Sequence, residues 1–150
     1  MTSPNAANAL LARRWFEEVW NQRRDATVTE LLDPNIVGFM EGVDVRSPED
    51  FLKARAGLLD GFPDLQVTVE AVVSEGENVV VRWSASGTHK GAGLGIPPSK
   101  RRVSFRGMSW IVVANGRIVK GWDSWNLGQL FAQLTAPEPE IRSEDSIRRP

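Results

Sequence analysis

The chain carries one acidic residue whose surroundings suit proton-transfer chemistry. Asp123 lies between Trp122 and Trp125 in a segment whose alternating apolar pattern predicts a half-buried strand. A carboxylate that faces an apolar cavity loses hydration, so its pKa rises from about 3.9 toward the range in which it can take up and release protons. Asp123 is therefore our candidate general acid and base. A solvated aspartate at the rim of a sheet is the alternative.

The single histidine is a second candidate catalytic residue. His89 follows a long predicted strand and precedes a glycine-rich loop, Gly91 to Lys100. Its imidazole can exchange a proton near neutral pH. A structural histidine at the end of a strand remains an equally open alternative. The loop follows no strand-to-helix unit, so we expect a lid or a connector rather than a phosphate-binding loop.

Six tryptophans and no tyrosine distinguish the aromatic composition. Indole rings can stack against a flat ligand, and Trp83, Trp110 and Trp125 are the candidates for this contact, with Met40 as a further substrate-binding residue. Arg82 lies on a strand face that points either into a pocket or into solvent. Without tyrosine, chemistry that depends on a phenol is excluded.

Composition excludes several other classes of protein. The absence of cysteine rules out disulfides, thiolate metal sites and a cysteine nucleophile, and a single histidine makes a metal site improbable, so we expect neither metal nor cofactor. A net charge of −1 without a basic stripe argues against nucleic-acid binding. No apolar run approaches the roughly 18 residues of a membrane span, so a cytoplasmic protein without membrane contact is expected.

The first half of the chain reads as helical. Apolar residues recur at steps of four and five from Ala6 to Asn21, which predicts an amphipathic helix. A short second helix is expected from Thr27 to Leu32, followed by a strand from Ile36 to Met40. Ser47-Pro48 is a typical helix start, and it begins a third helix that ends near Gly61.

The second half reads as antiparallel strands, expected over residues 65–73, 78–88, 103–114 and 117–125. The turn between the last two strands decides which residue lies opposite Asp123. A two-residue turn at 115–116 would pair Asp123 with Met108, whereas a three-residue loop with a bulge would pair it with Ser109, and Val113 with Val119. We favour the second register, because small residues then lie beside bulky ones and leave room for a ligand.

Helices followed by a strand meander predict an α+β fold. We expect a cone-shaped, curved antiparallel sheet that wraps around the N-terminal helices and encloses one pocket, in a single domain over residues 1–134. Residues 135–150 are polar and contain prolines, so we expect a mobile, dispensable tail.

Several short motifs occur in an order that resembles a known family. They are Phe62-Pro63-Asp64-Leu65, Gly87-Thr88-His89-Lys90-Gly91, Gly95-Ile96-Pro97-Pro98, and Gly116-Arg117-Ile118 through Trp122-Asp123 to Gln133-Leu134. Together they resemble the SnoaL-like polyketide cyclases of the nuclear-transport-factor-2-like superfamily over roughly residues 6 to 134.

The resemblance implies a cofactor-independent enzyme that acts on a hydrophobic, carbonyl-bearing small molecule. An aromatic polyketide-like substrate would cyclise or isomerise by an intramolecular aldol step, with Asp123 as acid and base. Where the family has a histidine that partners this aspartate, the chain has Ser109, which can donate a hydrogen bond but cannot take up a proton near neutral pH.

Two alternatives to the cyclase remain open. One is a SnoaL-like hydroxylase component of polyketide biosynthesis, which Ser109 favours. The other is a non-catalytic, small-ligand-binding homodimeric module. Whatever the activity, a fold of this kind leaves one face of the sheet uncovered. That face would expose Val80, or Val79 and Val81, which predicts a homodimer or a higher homo-oligomer.

Overall fold

Serine–proline pairs begin two of the helices in the structure, a computed structural model that describes residues 3–137. The hydroxyl oxygens of Ser3 and Ser47 accept hydrogen bonds from the amides of Ala6 and Asp50, both at 3.1 Å. A proline at the first helical position has no amide proton to leave unpaired. The helices are α1 (Pro4–Trp15), α2 (Asp25–Leu31), α3 (Pro48–Gly61) and α4 (Leu127–Thr135).

The predicted N-terminal helix changes its winding where it meets the core. After Trp15 the chain continues as a π-helical segment, Phe16–Asn21, and the amide of Gln22 bonds the carbonyl of Glu17 five residues back at 2.9 Å. Trp15, Phe16, Val19 and Trp20 all become buried in this way. The predicted apolar stripe is therefore confirmed.

The strands form one six-stranded sheet in the order β2-β1-β6-β5-β4-β3. Their bounds are β1 (Leu32–Met40), β2 (Val43–Val45), β3 (Gln66–Glu75), β4 (Asn78–Thr88), β5 (Arg102–Ala114) and β6 (Arg117–Trp125). The α+β prediction is confirmed. The sheet is mixed rather than wholly antiparallel, since β1 and β6 run parallel. Parallel pairing is possible because α3 and four strands, β2 to β5, separate them along the chain.

Two elements were not predicted from the sequence. Strand β2 has only three residues and is too short to show a pattern. Helix α4 does have a signal: Asn126 caps it by accepting a hydrogen bond from the amide of Gln129 at 2.8 Å, and Leu130 and Leu134, four residues apart, are buried. The predicted tail begins at the last residue of this helix, and its part from residue 138 onward lies outside the described residues.

The two faces of the sheet have different surroundings. On the inner face, Val79 and Val81 are fully buried against the helices, so of the two open alternatives Val80 is the one that lies on the uncovered face. On the outer face, directly paired residues of five neighbouring strands form an apolar row: Val73, Val80, Trp110, Trp122 and Phe39. Trp110 is 50% exposed and Val73 is 67% exposed. No helix within residues 3–137 is long and apolar enough to cross a membrane.

Candidate active site

A cavity of about 100 Å³ lies between the helices and the inner face of the sheet. By the same measure a single water needs about 10–15 Å³, so the space suits an organic ligand rather than one trapped water. Side chains from α1, the π-helical segment and α3 form one wall: Trp15, Phe16, Trp20, Phe51 and Leu58. The sheet forms the opposite wall, with Met40, Trp83, Phe105, Ser109, Asp123 and Trp125 among its residues. Among the described residues, Asp123 is the one ionisable group in this lining.

The hairpin between β5 and β6 turns Asp123 toward this cavity. Asn115 and Gly116 have φ angles of 53° and 75°, as in a two-residue type I′ turn. A bulge then leaves Val119 without a partner, because Val113 pairs with Ile118 rather than with Val119 as predicted. Because of this extra residue, each later residue of β6 faces the opposite side of the sheet from the one it would face without the bulge. The favoured pairing of Asp123 with Ser109 is thus confirmed, although its cause is a bulge in the strand.

Two hydrogen bonds in series end at the carboxyl group of Asp123. The indole N–H of Trp83 donates to Oγ of Ser109 at 3.0 Å. Oγ of Ser109 donates to Oδ1 of Asp123 at 2.5 Å. Ser109 is 2% exposed and Trp83 is 6% exposed, so both bonds lie within the protein interior. The other carboxyl oxygen, Oδ2, makes no hydrogen bond to any side chain or amide of the described residues.

Burial raises the pKa of Asp123 from its ordinary value of 3.8 to about 6. The hydrogen bond from Ser109 opposes this shift, because it favours the ionised carboxylate, and the negative charge of Glu41 adds a small further rise in the pKa. Asp123 is partly exposed because it lines the cavity, but the surrounding protein shields its carboxyl group from bulk water. At neutral pH, both protonation states are therefore accessible at modest free-energy cost.

Aromatic rings build the wall beside Asp123. Trp125 and Phe105 stack with their centroids 5.0 Å apart and their planes at 29°, and Trp83 meets Phe105 edge-on at 6.0 Å. Gly107 makes this packing possible, since a Cβ there would lie 2.7 Å from atoms of both Trp83 and Trp125. The space that the favoured register predicted beside Gly107 is thus filled by indole rings rather than left for a ligand.

Two predicted substrate-binding residues lie on the outer face of the sheet. Trp110 is the neighbour of Ser109 along β5 and points away from the cavity, with its indole N–H bonded to Oδ1 of Asn78 at 3.0 Å. Arg82 is the neighbour of Trp83 and forms an ion pair with Glu70 at 3.3 Å. Successive strand residues face opposite sides, so neither can share a pocket with its neighbour.

His89 also lies away from the cavity lining, fully buried at the neck of the glycine-rich loop. The amide of Ser99 donates to its Nδ1 at 3.0 Å, so the neutral ring carries its proton on Nε2. Main-chain bonds join His89 to Lys100 and Arg101, both at 2.8 Å. The structural alternative for His89 agrees with this placement, and we assign it no catalytic part.

The sequence interpretation missed part of the cavity wall. Trp20 and Phe51 line the cavity and meet edge-on, with centroids 5.8 Å apart. Both lie on apolar faces of predicted helices, and that spacing was the signal the sequence offered; that the two faces meet at the cavity follows only from the fold.

The fold and the site define a small α+β domain whose aromatic pocket is lined by one carboxyl group, that of Asp123. The family model of the SnoaL-like polyketide cyclases matches residues 10–134. The chain therefore belongs to the SnoaL-like polyketide cyclase family. Among curated proteins, none matches the chain significantly.

Solved structures agree with this assignment. A candidate SnoaL-like polyketide cyclase from Jannaschia sp. CCS1 is 29% identical with a TM-score of 0.83, over 90% of this chain and 96% of that chain. AclR, a candidate hydroxylase from Streptomyces galilaeus, is 28% identical with a TM-score of 0.77, over 92% and 87% of the two chains. IdmH, a candidate polyketide cyclase from Streptomyces antibioticus, is 27% identical with a TM-score of 0.75, over 85% and 97%.

Proposed function

We propose that this protein is a cofactor-independent cyclase or isomerase that acts on a hydrophobic, carbonyl-bearing small molecule resembling an aromatic polyketide. The observation that carries the proposal is the carboxyl group of Asp123, held in an aromatic cavity with its pKa raised to about 6. A carboxylate in such a place is a stronger base than one in water, and its conjugate acid remains available near neutral pH.

In the proposed reaction, Asp123 first acts as a base and then as an acid. The ionised carboxylate takes a proton from a carbon next to a carbonyl group, and the resulting enolate attacks a second carbonyl of the same molecule. A carbon–carbon bond forms, the attacked carbonyl becomes an alkoxide, and the carboxyl group of Asp123 returns the proton to that oxygen. The aromatic wall of Trp125 and Phe105 suits a flat substrate.

The test compares Asp123→Asn with the wild-type protein on aromatic ketones that carry a β-dicarbonyl side chain. The amide keeps the shape of the side chain but removes its titrating proton, so turnover should fall by about 10²–10⁴-fold while ligand affinity, followed by tryptophan fluorescence, changes little. Ser109→His, which introduces the histidine of the family, should raise cyclase activity. Turnover at the wild-type rate in Asp123→Asn would overturn the proposal.

A hydroxylase component is the second candidate function. It is supported by the 28% identity to AclR and by Ser109 at the position of the family histidine. With a two-electron reductant supplied, this candidate predicts O2 uptake, a product heavier by one oxygen atom and release of the second oxygen as water, whereas an aldol cyclisation leaves the mass unchanged. If the protein binds the ligand but neither hydroxylates nor cyclises it, the binding-module alternative would be favoured.

We also propose that a second copy of the chain covers the outer face of the sheet. The apolar row on this face, from Val73 to Phe39, includes two tryptophans that are 50% and 39% exposed. Trp110 is the middle residue of the row. A two-fold axis near it would therefore bring the row of one protomer into contact with the same row of its partner, as an isologous interface requires. Aromatic side chains at the centre of a face are typical of such contacts.

A further inference from the structure

We propose that Trp83 is a positioning residue for Asp123: its indole N–H fixes the hydroxyl group of Ser109, so that Oδ1 of Asp123 stays a hydrogen-bond acceptor and protons move only at Oδ2. The proposal rests on the function proposed above for Asp123. It gives Trp83 a different task from the substrate stacking that the sequence suggested.

The donor inventory of the three side chains supports this assignment. An indole N–H can only donate, so Oγ of Ser109 must accept the 3.0 Å bond from Trp83. A hydroxyl group has one proton, and the 2.5 Å bond to Oδ1 is the other bond that Oγ of Ser109 makes to the described residues. The proton of Ser109 therefore points to Oδ1.

The same inventory decides where Asp123 takes up a proton. If Oδ1 were protonated, it would have to donate to Oγ of Ser109, and the hydroxyl proton of Ser109 would be left without a partner. Ser109 is 2% exposed, so its hydroxyl proton has little contact with water, and an unpaired buried donor is costly. Protonation at Oδ2 leaves both existing bonds in place. Oδ2 is the oxygen without a partner among the described residues, and the residue that carries it lines the cavity.

The bond to Trp83 also strengthens the bond to Asp123. A hydroxyl group that accepts a hydrogen bond becomes a better donor, and in a low-dielectric interior this polarisation passes along the chain of bonds. Loss of the indole N–H should therefore weaken the stabilisation of the ionised carboxylate, although Trp83 does not touch Asp123 through a hydrogen bond.

The experiment measures the pKa of Asp123 directly, by the carboxyl ¹³C shift in NMR titrations of the whole protein. Ser109→Ala removes the bond to the carboxylate and should raise this pKa by about one to two pH units, the usual contribution of a hydrogen bond to a charged group. Trp83→Phe should raise it by a few tenths of a pH unit. In the double variant the pKa should equal that of Ser109→Ala, because Trp83 acts only through Ser109.

Trp110→Phe is the matched control. Its indole N–H also donates to a side-chain oxygen at 3.0 Å, but on the outer face of the sheet. The pKa of Asp123 should not change in this variant. A tryptophan isostere with sulfur in place of N–H, introduced at position 83 alone, covers the case in which phenylalanine perturbs packing, and it should raise the pKa as well.

An unchanged or lower pKa with the isostere would overturn the proposal. So would additive shifts in the double variant, which would mean that Trp83 acts independently of Ser109. These titrations need no substrate, so their outcome is separate from that of the turnover test. If Asp123→Asn loses turnover but the pKa of Asp123 is unchanged in the variants at position 83, the positioning proposal fails and the proposed function stands.

Discussion

Two aspartates of this chain show how side-chain surroundings set opposite proton affinities. Asp64, at the surface end of the sheet, accepts hydrogen bonds from the amide and the hydroxyl group of Thr88 at 2.7 Å and 2.8 Å, and these lower the pKa of its carboxyl group. Asp123 accepts one such bond, from Ser109, and burial dominates, so its pKa rises. A buried carboxyl group with few donors adds little to stability, and a pKa raised by burial in a pocket marks a candidate functional residue.

This difference predicts how stability depends on pH. The pKa of Asp123 in the fold, about 6, exceeds its ordinary value of 3.8, so the folded protein binds more protons than the unfolded chain between these values. The stabilisation is complete below pH 3.8 and is lost as the pH rises through 6. Asp123→Asn should therefore be more stable than the wild type at pH 8, by at most about 3 kcal/mol in urea unfolding, and the difference should vanish near pH 4.

Asp64→Asn is the control, because the pKa of Asp64 is shifted in the opposite direction. Its lowered pKa stabilises the fold above the ordinary value and ceases to do so as the pH falls. This variant should be less stable than the wild type at pH 8, and the deficit should shrink in acid. If Asp123→Asn instead lost stability at pH 8, the carboxyl group would be gaining more from its contacts than burial costs it.

At the scale of elements, the glycine-rich loop from Gly91 onward is docked rather than loose. Its backbone lies against the carboxyl-terminal half of α3, where a Cβ on Gly91 would come within 1.9 Å of the carbonyl oxygen of Asp60. A Cβ on Gly93 would lie 2.2 Å from the carbonyl oxygen of Gly57. Only glycine permits so close an approach, and the packing agrees better with a connector than with a lid.

Gly93→Ala should separate the loop from α3, because backbone atoms cannot move aside. We expect a loss of about 1–3 kcal/mol in thermal or urea unfolding, together with faster trypsin cleavage after Lys90 and Lys100. The comparison is Gly95→Ala in the same loop, where φ is +79° and an added Cβ would meet no atom within 4 Å beyond the adjacent residues. That variant should lose stability through backbone strain but keep the loop protected from trypsin. Equal cleavage of both variants would contradict the docked arrangement.

At the scale of the whole molecule, the apolar row on the outer face predicts the oligomeric state. The wild-type protein should sediment as a dimer at micromolar concentration, and Trp110→Glu should sediment as a monomer because it places a charge at the centre of the interface. Leu10→Glu changes a 62% exposed residue on α1, away from the row, and should remain a dimer. A monomeric wild type would count against the proposed interface, while leaving the cavity and its chemistry untouched.

Much of the architecture followed from patterns that are local in sequence. Alternation identified β4, β5 and β6, the Ser47-Pro48 pair located the start of α3, and the motif order indicated the family that the comparison then established. Alternation also predicts which of the candidate site residues face opposite sides of the sheet. Trp110 adjoins Ser109, and Arg82 adjoins Trp83, so neither could face the same pocket as its neighbour.

Only the tertiary structure decided which side of the sheet each candidate faces. The sequence determined that an aspartate follows a hairpin turn in an aromatic strand, but the bulge at Val119 depends on how β6 pairs with β5, and it turns Asp123 inward. The parallel contact of β1 with β6 and the loop that encloses His89 likewise depend on residues distant in the chain. The raised pKa of Asp123 also depends on tertiary structure. The side chains that shield its carboxyl group from water come from helices and strands that are distant in the chain and meet only in the fold.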